Sequence, residues 1–283
     1  MSAVRIVTDS LAWLPPDVAE EYGIEIVPLH ISFGEDRYTE TVDITNEEFY
    51  QRLRGGDVLP KTSQPSPGEF QQAYQAIADD ADTDSIVCIT ASAKISGTYN
   101  SAQAAAQAMS DVRVEVIDSE LAALAEGILA IEAARAATEG ADAGAVLARV
   151  RELQPHCGVS LTLETLDYLY KGGRIGRAGH LIGSLLRFRP VLHLDDGELA
   201  PLDRPRTRKK AIARLVEYAA ERAGGNKLAM AGILHADAPN GARELRQQVE
   251  ARFQVGEFFE SQIGPVIGTY TGPDALGLCF RTP

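Results

Sequence analysis

Ser85-Ile86-Val87-Cys88-Ile89-Thr90, followed at once by Ala91-Ser92-Ala93-Lys94-Ile95-Ser96-Gly97-Thr98, is the stretch on which the fold turns. Its first part is a short apolar run rich in β-branched residues, the pattern of a strand buried on both faces in a parallel sheet. Its second part is a hydroxyl-rich loop, punctuated by glycine, that leads into an alanine-rich helix. The hydroxyls and backbone N–H groups of that loop therefore belong at the carboxyl end of a strand, where open α/β sheets bind ligands, and at a helix start, where anions are favoured. Thr62-Ser63-Gln64-Pro65-Ser66 is a second loop of this kind, again running into a helix.

Outward from these loops, Val4–Thr8, Ile24–Leu29 and Arg113–Ile117 read as further strands, alternating with helical stretches as in a parallel sheet covered by helices. Helix starts are marked by Thr45 with Glu48 and by Ser66 with Glu69, both in capping-box spacing, and Pro67 falls at a first helical position. Gly55-Gly56 and Gly140 supply helix stops, and Leu121 to Ala137 followed by Ala145 to Leu153 forms a helical pair. The pattern changes after Pro155-His156-Cys157-Gly158. Val159–Leu163 reads as a strand, and Val191–Leu194 and Leu199–Leu202 flank an Asp195-Asp196-Gly197 hairpin turn. Helices over 208–223 and 240–253, with strands near 228–234, 257–261 and 276–281, complete the chain. The expected fold is α/β: an N-terminal parallel-sheet α/β/α domain over residues 1–158 and a C-terminal α+β domain with a mixed sheet over 159–283.

The chain has 283 residues, 45% of them apolar and 24% charged, ordinary values for a globular protein with a sizeable core. A net charge of −13 opposes nucleic acid, and leaves room for at most transient contact with an anionic membrane. An anion site must then be local. The first strand-like run begins almost at Met1, so a secretory leader is not expected, and Glu126, Glu132 and Arg135 interrupt the most apolar helix. Cys88, Cys157 and Cys279 are odd in number, widely spaced and in apolar contexts, which points to reduced thiols in a cytoplasm.

Thr8-Asp9-Ser10, Ser92 to Thr98 and Asp118-Ser119 all fall at predicted strand carboxyl ends. Asp9, Ser10, Asp118 and Ser119 read as caps, the ordinary use of such residues. Ser96-Gly97-Thr98 reads as a binding segment, because glycine allows close approach to the backbone. Thr62, Ser63 and Gln64 exceed what one capping box needs, so that loop either binds a ligand or is plain connection. Ile263 to Pro273 carries Gly264, Gly268 and Gly272; it is either turn chemistry between strands or a third binding loop in which Tyr270 offers a neutral O–H donor. The candidate ligand-binding residues are thus Thr62, Ser63, Ser92, Ser96, Gly97, Thr98, Gly268 and Tyr270.

Arg204, Arg206, Arg208, Lys209 and Lys210 form the dense basic cluster of an acidic chain, around the first turn of a predicted helix, where cations oppose the helix dipole. Such a cluster suits docking of an acidic partner. Lys171-Gly172-Gly173-Arg174-Ile175-Gly176-Arg177 lacks Walker A spacing and reads as a helix-to-helix turn whose cations face solvent or help line the domain interface. His30, His156, His180, His193 and His235 show no metal-site spacing, no cysteine pair suits zinc, and no G-x-S-x-G elbow occurs, so neither metal nor cofactor is expected.

Val7-Thr8-Asp9-Ser10, Thr62-Ser63-Gln64-Pro65-Ser66, Ile95-Ser96-Gly97-Thr98-Tyr99, Tyr168-Leu169-Tyr170-Lys171-Gly172-Gly173-Arg174-Ile175, Arg206-Thr207-Arg208-Lys209-Lys210, His235-Ala236-Asp237 and Gly264-Pro265-Val266-Ile267-Gly268 together resemble the DegV family, nearly end to end. That resemblance implies a carrier and not a catalyst: a fatty-acid-binding subunit that presents an acyl chain to a separate ATP-dependent fatty acid kinase for acyl-phosphate formation. The tail would lie in an apolar pocket, Thr62 and Ser96 would hydrogen-bond the carboxylate, and the basic cluster would face the kinase. Two residues depart from the family pattern. Tyr270 stands where His is common, and Ala93 where many relatives carry a second Ser. A long tail suits such a role, since about 0.8 kcal/mol per buried methylene gives roughly 8 kcal/mol for ten of them before ordering costs. Two rival classes remain at this stage: a hydroxyl-nucleophile enzyme of acyl or phosphoryl transfer acting through Ser96 or Thr98, and a nucleotide or sugar-phosphate binder using the same loops.

Overall fold

The computed structural model of the chain describes residues 3–56, 58–80, 83–182 and 188–283. In chain order these form β1 (Ala3–Asp9), α1 (Pro16–Tyr22), β2 (Glu25–Val27), β3 (His30–Phe33), β4 (Asp36–Thr39), α2 (Asn46–Gly55), β5 (Lys61–Ser63), α3 (Pro67–Ala78), β6 (Thr83–Thr90), α4 (Thr98–Ala108), β7 (Arg113–Asp118), α5 (Leu124–Thr138) and α6 (Ala143–Leu153). There follow β8 (Cys157–Thr162), α7 (Asp167–Lys171), β9 (Val191–Asp195), β10 (Glu198–Asp203), α8 (Arg208–Ala223), β11 (Lys227–His235), α9 (Pro239–Arg252), β12 (Gln254–Gln262), α10 (Pro265–Thr271) and β13 (Leu276–Arg281). The chain divides into two compact units, residues 1–30 with 63–155 and residues 31–62 with 156–283.

The first unit is a parallel sheet in the order β2-β1-β6-β7. The run from Ser85 to Thr90 is buried throughout, as a central strand covered on both faces must be. Val7, Ile86 and Cys88 face α3 and α4, meeting Phe70, Tyr74, Ala102 and Ala105. Burial of a side chain such as Phe70 contributes about 1.5–3 kcal/mol. α5 packs against β1 and α6 against β6. Leu124 to Ala134 of α5 are buried all round, charged residues included, so the helix is a core element and not an amphipathic one. It starts three residues later than its apolar pattern, after Glu120 and Ala123 at positive φ.

The second unit is a mixed sheet, order β10-β9-β8-β13-β11-β12, in which β11 and β12 run parallel and the other pairs antiparallel. The expected hairpin is there. Asp196 and Gly197 have φ of 53° and 70°, the paired positive values that a tight two-residue turn needs. α8 and α9 cover one face through Ala211, Ile212, Leu215, Ala242, Leu245 and Val249.

The parallel and mixed sheets agree with the fold class read from the sequence. The continuous division at residue 158 needs correction: residues 31–62 group with the second unit. They carry a short sheet, β4-β3-β5, and α2. Their ties to that unit are long in sequence. The Tyr50 O–H donates to the Ile263 carbonyl at 2.9 Å, the Val266 N–H donates to the fully buried Glu40 carboxylate at 2.7 Å, and Arg54 pairs with Asp237 at 3.0 Å and Asp274 at 3.3 Å. No helix among the described residues is long and apolar enough to cross a membrane.

Candidate functional site

Each unit, taken by itself, contains a hydroxyl couple. In the first, the loop after β6 folds back on itself because Ser92 is fully buried and used as a frame: its carbonyl accepts from the Ile95 and Ser96 N–H groups, and its Oγ accepts from the Lys94 N–H. The loop therefore delivers Ser96, half-buried, beside the fully buried Thr98, with Oγ and Oγ1 2.7 Å apart. The Thr98 N–H also points at Ser96 Oγ, at 3.3 Å. Two hydroxyls sharing one hydrogen bond use one proton between them, so the other remains to be donated outward. Ser96 is the member with access.

Gly97 caps α4 without a side-chain bond, with φ −79° and ψ 2°. Any residue adopts that backbone. What keeps the position bare is Gln64: a Cβ built on Gly97 would lie 2.6 Å from Gln64 Nε2, 2.8 Å from Cδ and 3.1 Å from Oε1. Ser63 is exposed at the end of β5, and the neighbouring Ser66 and Glu69 close a reciprocal capping box at the start of α3, as their spacing predicted.

In the second unit Thr62, on β5, meets Tyr270, on α10, with Oγ1 and Oη 2.5 Å apart. Ile263 to Pro273 is thus neither a plain turn nor a loop: Pro265 opens a short helix, with Gly264 as its cap. Gly268 meets α2 closely. A Cβ there would fall 2.6 Å from Phe49 Cε1 and 2.9 Å from the Tyr50 hydroxyl, so its bareness serves helix packing. The Tyr270 ring rests against Gly172, where a Cβ would approach it to 2.6 Å, and the Arg174 guanidinium carbon lies 5.1 Å from the ring centroid. Lys171 to Arg177 is indeed a turn between helical segments, with Lys171, Arg174 and Arg177 exposed. Gly172 seats the Tyr270 ring, and Gly176 lies against the Leu199 backbone, uses that no spacing rule would have shown.

Of the residues assigned to caps, Asp9 caps the short 3-10 turn over residues 10–12, whereas Ser10 and Asp118 tie loop backbone. Asp9 Oδ1 accepts from the Leu11 N–H and Oδ2 from the Ala91 N–H, Ser10 Oγ accepts from the Leu29 N–H, and Asp118 Oδ1 accepts from the Ala93 and Glu120 N–H groups. Burial pushes the Asp9 carboxyl up to about 6, against the pull of its two N–H donors. Burial, and next the charge of Asp9, holds the Glu126 carboxyl well above the usual carboxylate range although the Thr8 hydroxyl donates to it.

In the basic cluster, Arg204, Arg206, Lys209 and Lys210 are exposed, and their side chains have no hydrogen-bond or ion-pair partner among the described residues. Arg208 differs. It is half-buried, packs against Gly241 and donates to the Asp274 carbonyl at 3.3 Å, so it serves the fold.

A family model described as "Uncharacterised protein, DegV family" matches residues 3–282. A DegV domain-containing protein of Halalkalibacterium halodurans is 36% identical over 280 residues, covering 99% of each chain. Among solved structures, a DegV family protein from Thermus thermophilus, described by its fatty acid binding, superposes with a TM-score of 0.93 at 33% identity over 99% of this chain and 100% of its own. DegV from Bacillus subtilis, described as a fatty acid binding protein, gives 0.91 at 33% identity over the whole of both chains.

Proposed function

We propose that this chain, which belongs to the DegV family, is a carrier of long-chain fatty acids that holds the carboxylate on neutral hydroxyls and hands the acid to a separate ATP-dependent kinase. The observation that carries the reading is the whole-length likeness to solved DegV proteins described as fatty acid binding. The Ser96–Thr98 and Thr62–Tyr270 couples supply matching chemistry. Each has a proton to spare after its internal bond, and both are uncharged, so a carboxylate bound by them stays anionic and nucleophilic where a bidentate Arg clamp would hold its electrons down. Ser96 and Thr62 are the two head-group donors in this account.

A carrier role also fits what surrounds Ser96. Its hydrogen-bond partner is the Thr98 hydroxyl, an arrangement that suits a neutral donor to a carboxylate. Presentation to the kinase is assigned to Arg204, Arg206, Lys209 and Lys210, whose unpaired charges stand out on a protein of net charge −13. The three cysteines are buried and free, which supports a reducing, cytoplasmic setting.

The test is oleate binding and kinase-dependent acyl-phosphate formation by Thr62→Ala and Ser96→Ala. Each variant is expected to fold and to lose most of both activities. Retention of both at the level of the unaltered protein would refute the head-group assignment.

A further inference from the structure

Gln64 carries the further inference, which rests on the carrier reading above. Its side chain is exposed and makes no hydrogen bond within the protein among the described residues, yet its carboxamide occupies the space beside Gly97, with Nε2, Cδ and Oε1 2.6, 2.8 and 3.1 Å from where a Cβ would stand. An exposed glutamine ordinarily samples many rotamers, and holding it in one costs side-chain entropy. The backbone on which it stands is fixed as well: Pro65 follows it, restricting it to extended conformations, and the Ser66–Glu69 capping box comes next. Gly97, for its part, has a backbone that alanine would adopt without strain, so the glycine is explained by the amide laid across it. On either side of Gly97 stand the Ser96 and Thr98 hydroxyls.

We propose that Gln64 is a head-group ligand, donating an Nε2–H to the carboxylate of the bound fatty acid from beside Ser96, and that Gly97 is bare in order to seat it. The amide adds a third neutral donor to the hydroxyls. It brings no positive charge that would quench the carboxylate, and its two N–H groups suit an oxyanion better than they suit an uncharged ligand.

The experiment compares dissociation constants for oleate and for oleyl alcohol at pH 8, in the unaltered protein and in Gln64→Ala, Gln64→Glu, Gly97→Ala and the Gln64→Ala/Gly97→Ala pair. Gln64→Ala is expected to weaken oleate on the order of tenfold and the alcohol by less than about twofold, as loss of a bond to a charged group requires. Gln64→Glu is expected to weaken oleate further, by setting like charges together. Gly97→Ala moves only the flexible end of Gln64, so it should fold normally and reproduce the Gln64→Ala defect, and the pair should be no weaker than Gln64→Ala alone. Unchanged oleate binding in Gln64→Ala and Gln64→Glu would overturn the assignment, as would equal losses for oleate and the alcohol, which would mean packing alone. Failure of the unaltered protein to bind oleate would instead refute the carrier reading itself.

Discussion

Thr62 Oγ1 and Tyr270 Oη stand 2.5 Å apart across 208 residues of sequence, so a strand of the 31–62 segment and the short helix α10 meet in one shared hydrogen bond between neutral groups. An alcohol and a phenol share that bond, with no imidazole in the couple. Oleate affinity of the unaltered protein should therefore be flat between pH 6 and 8. Tyr270→Phe is expected to weaken binding about fivefold to tenfold, the worth of one neutral hydrogen bond. Tyr270→His should make binding tighten as pH falls through about 6.5, because the imidazolium adds a charge-assisted donor. Fluorescence competition at several pH values checks all three, and a pH-independent Tyr270→His variant would contradict the role given to this position.

Gly268 lies against the Phe49 ring and the Tyr50 hydroxyl. A methyl group there must push α10 from α2, an overpacking that costs about 1–3 kcal/mol. Gly268→Ala should lower the melting temperature measurably and weaken ligand binding only through the displaced Tyr270. An unchanged melting curve would show that α10 is not held by this contact.

Glu126 is fully buried on α5, and its Oε2 has no hydrogen-bond partner among the described residues. Its folded-state pKa is raised, first by burial and then by Asp9, so the folded protein keeps a proton that the unfolded chain gives up at lower pH. Stability is then fully present below the ordinary carboxylate range and is lost as pH rises toward the raised value. Glu126→Gln removes that titration. Its melting temperature relative to the unaltered protein should increase as pH rises from 4 to 8, by about 2–4 °C for each kcal/mol recovered. A constant difference across that range would contradict a protonated Glu126.

Arg206 and Lys209 have no partners to lose among the described residues. Arg206→Glu with Lys209→Glu should leave the melting temperature within about 1 °C while slowing association with the kinase at low salt, an effect that fades as ionic strength rises. Stopped-flow measurement of association decides it, and an equal on-rate at low salt would remove the docking role.

The parallel core was legible because its signals are local. Burial on both faces follows from the unbroken apolar run ending at Thr90, and Ser66 with Glu69 mark a helix start by spacing alone. The hairpin was legible for the same reason, since Asp196-Gly197 states its own backbone angles. Residues 31–62 were misplaced because what assigns them is not local: Glu40 meets Val266, Tyr50 meets Ile263 and Arg54 meets Asp237 and Asp274, at separations that no periodicity records. Gly268 illustrates a subtler limit. Close approach was legible from the glycine, but that the Phe49 ring is a group it approaches depends on tertiary packing.

The central claim is that a fatty acid sits in this protein with its carboxylate on the Ser96 and Thr62 hydroxyls. Native mass spectrometry of the protein as purified, with Ser96→Ala and Thr62→Ala alongside, tests it most directly. The account predicts that the unaltered protein carries an adduct with the mass of a long-chain fatty acid, and that this adduct is depleted in both variants. An unaltered protein that emerges empty and takes up no oleate when it is added would contradict it.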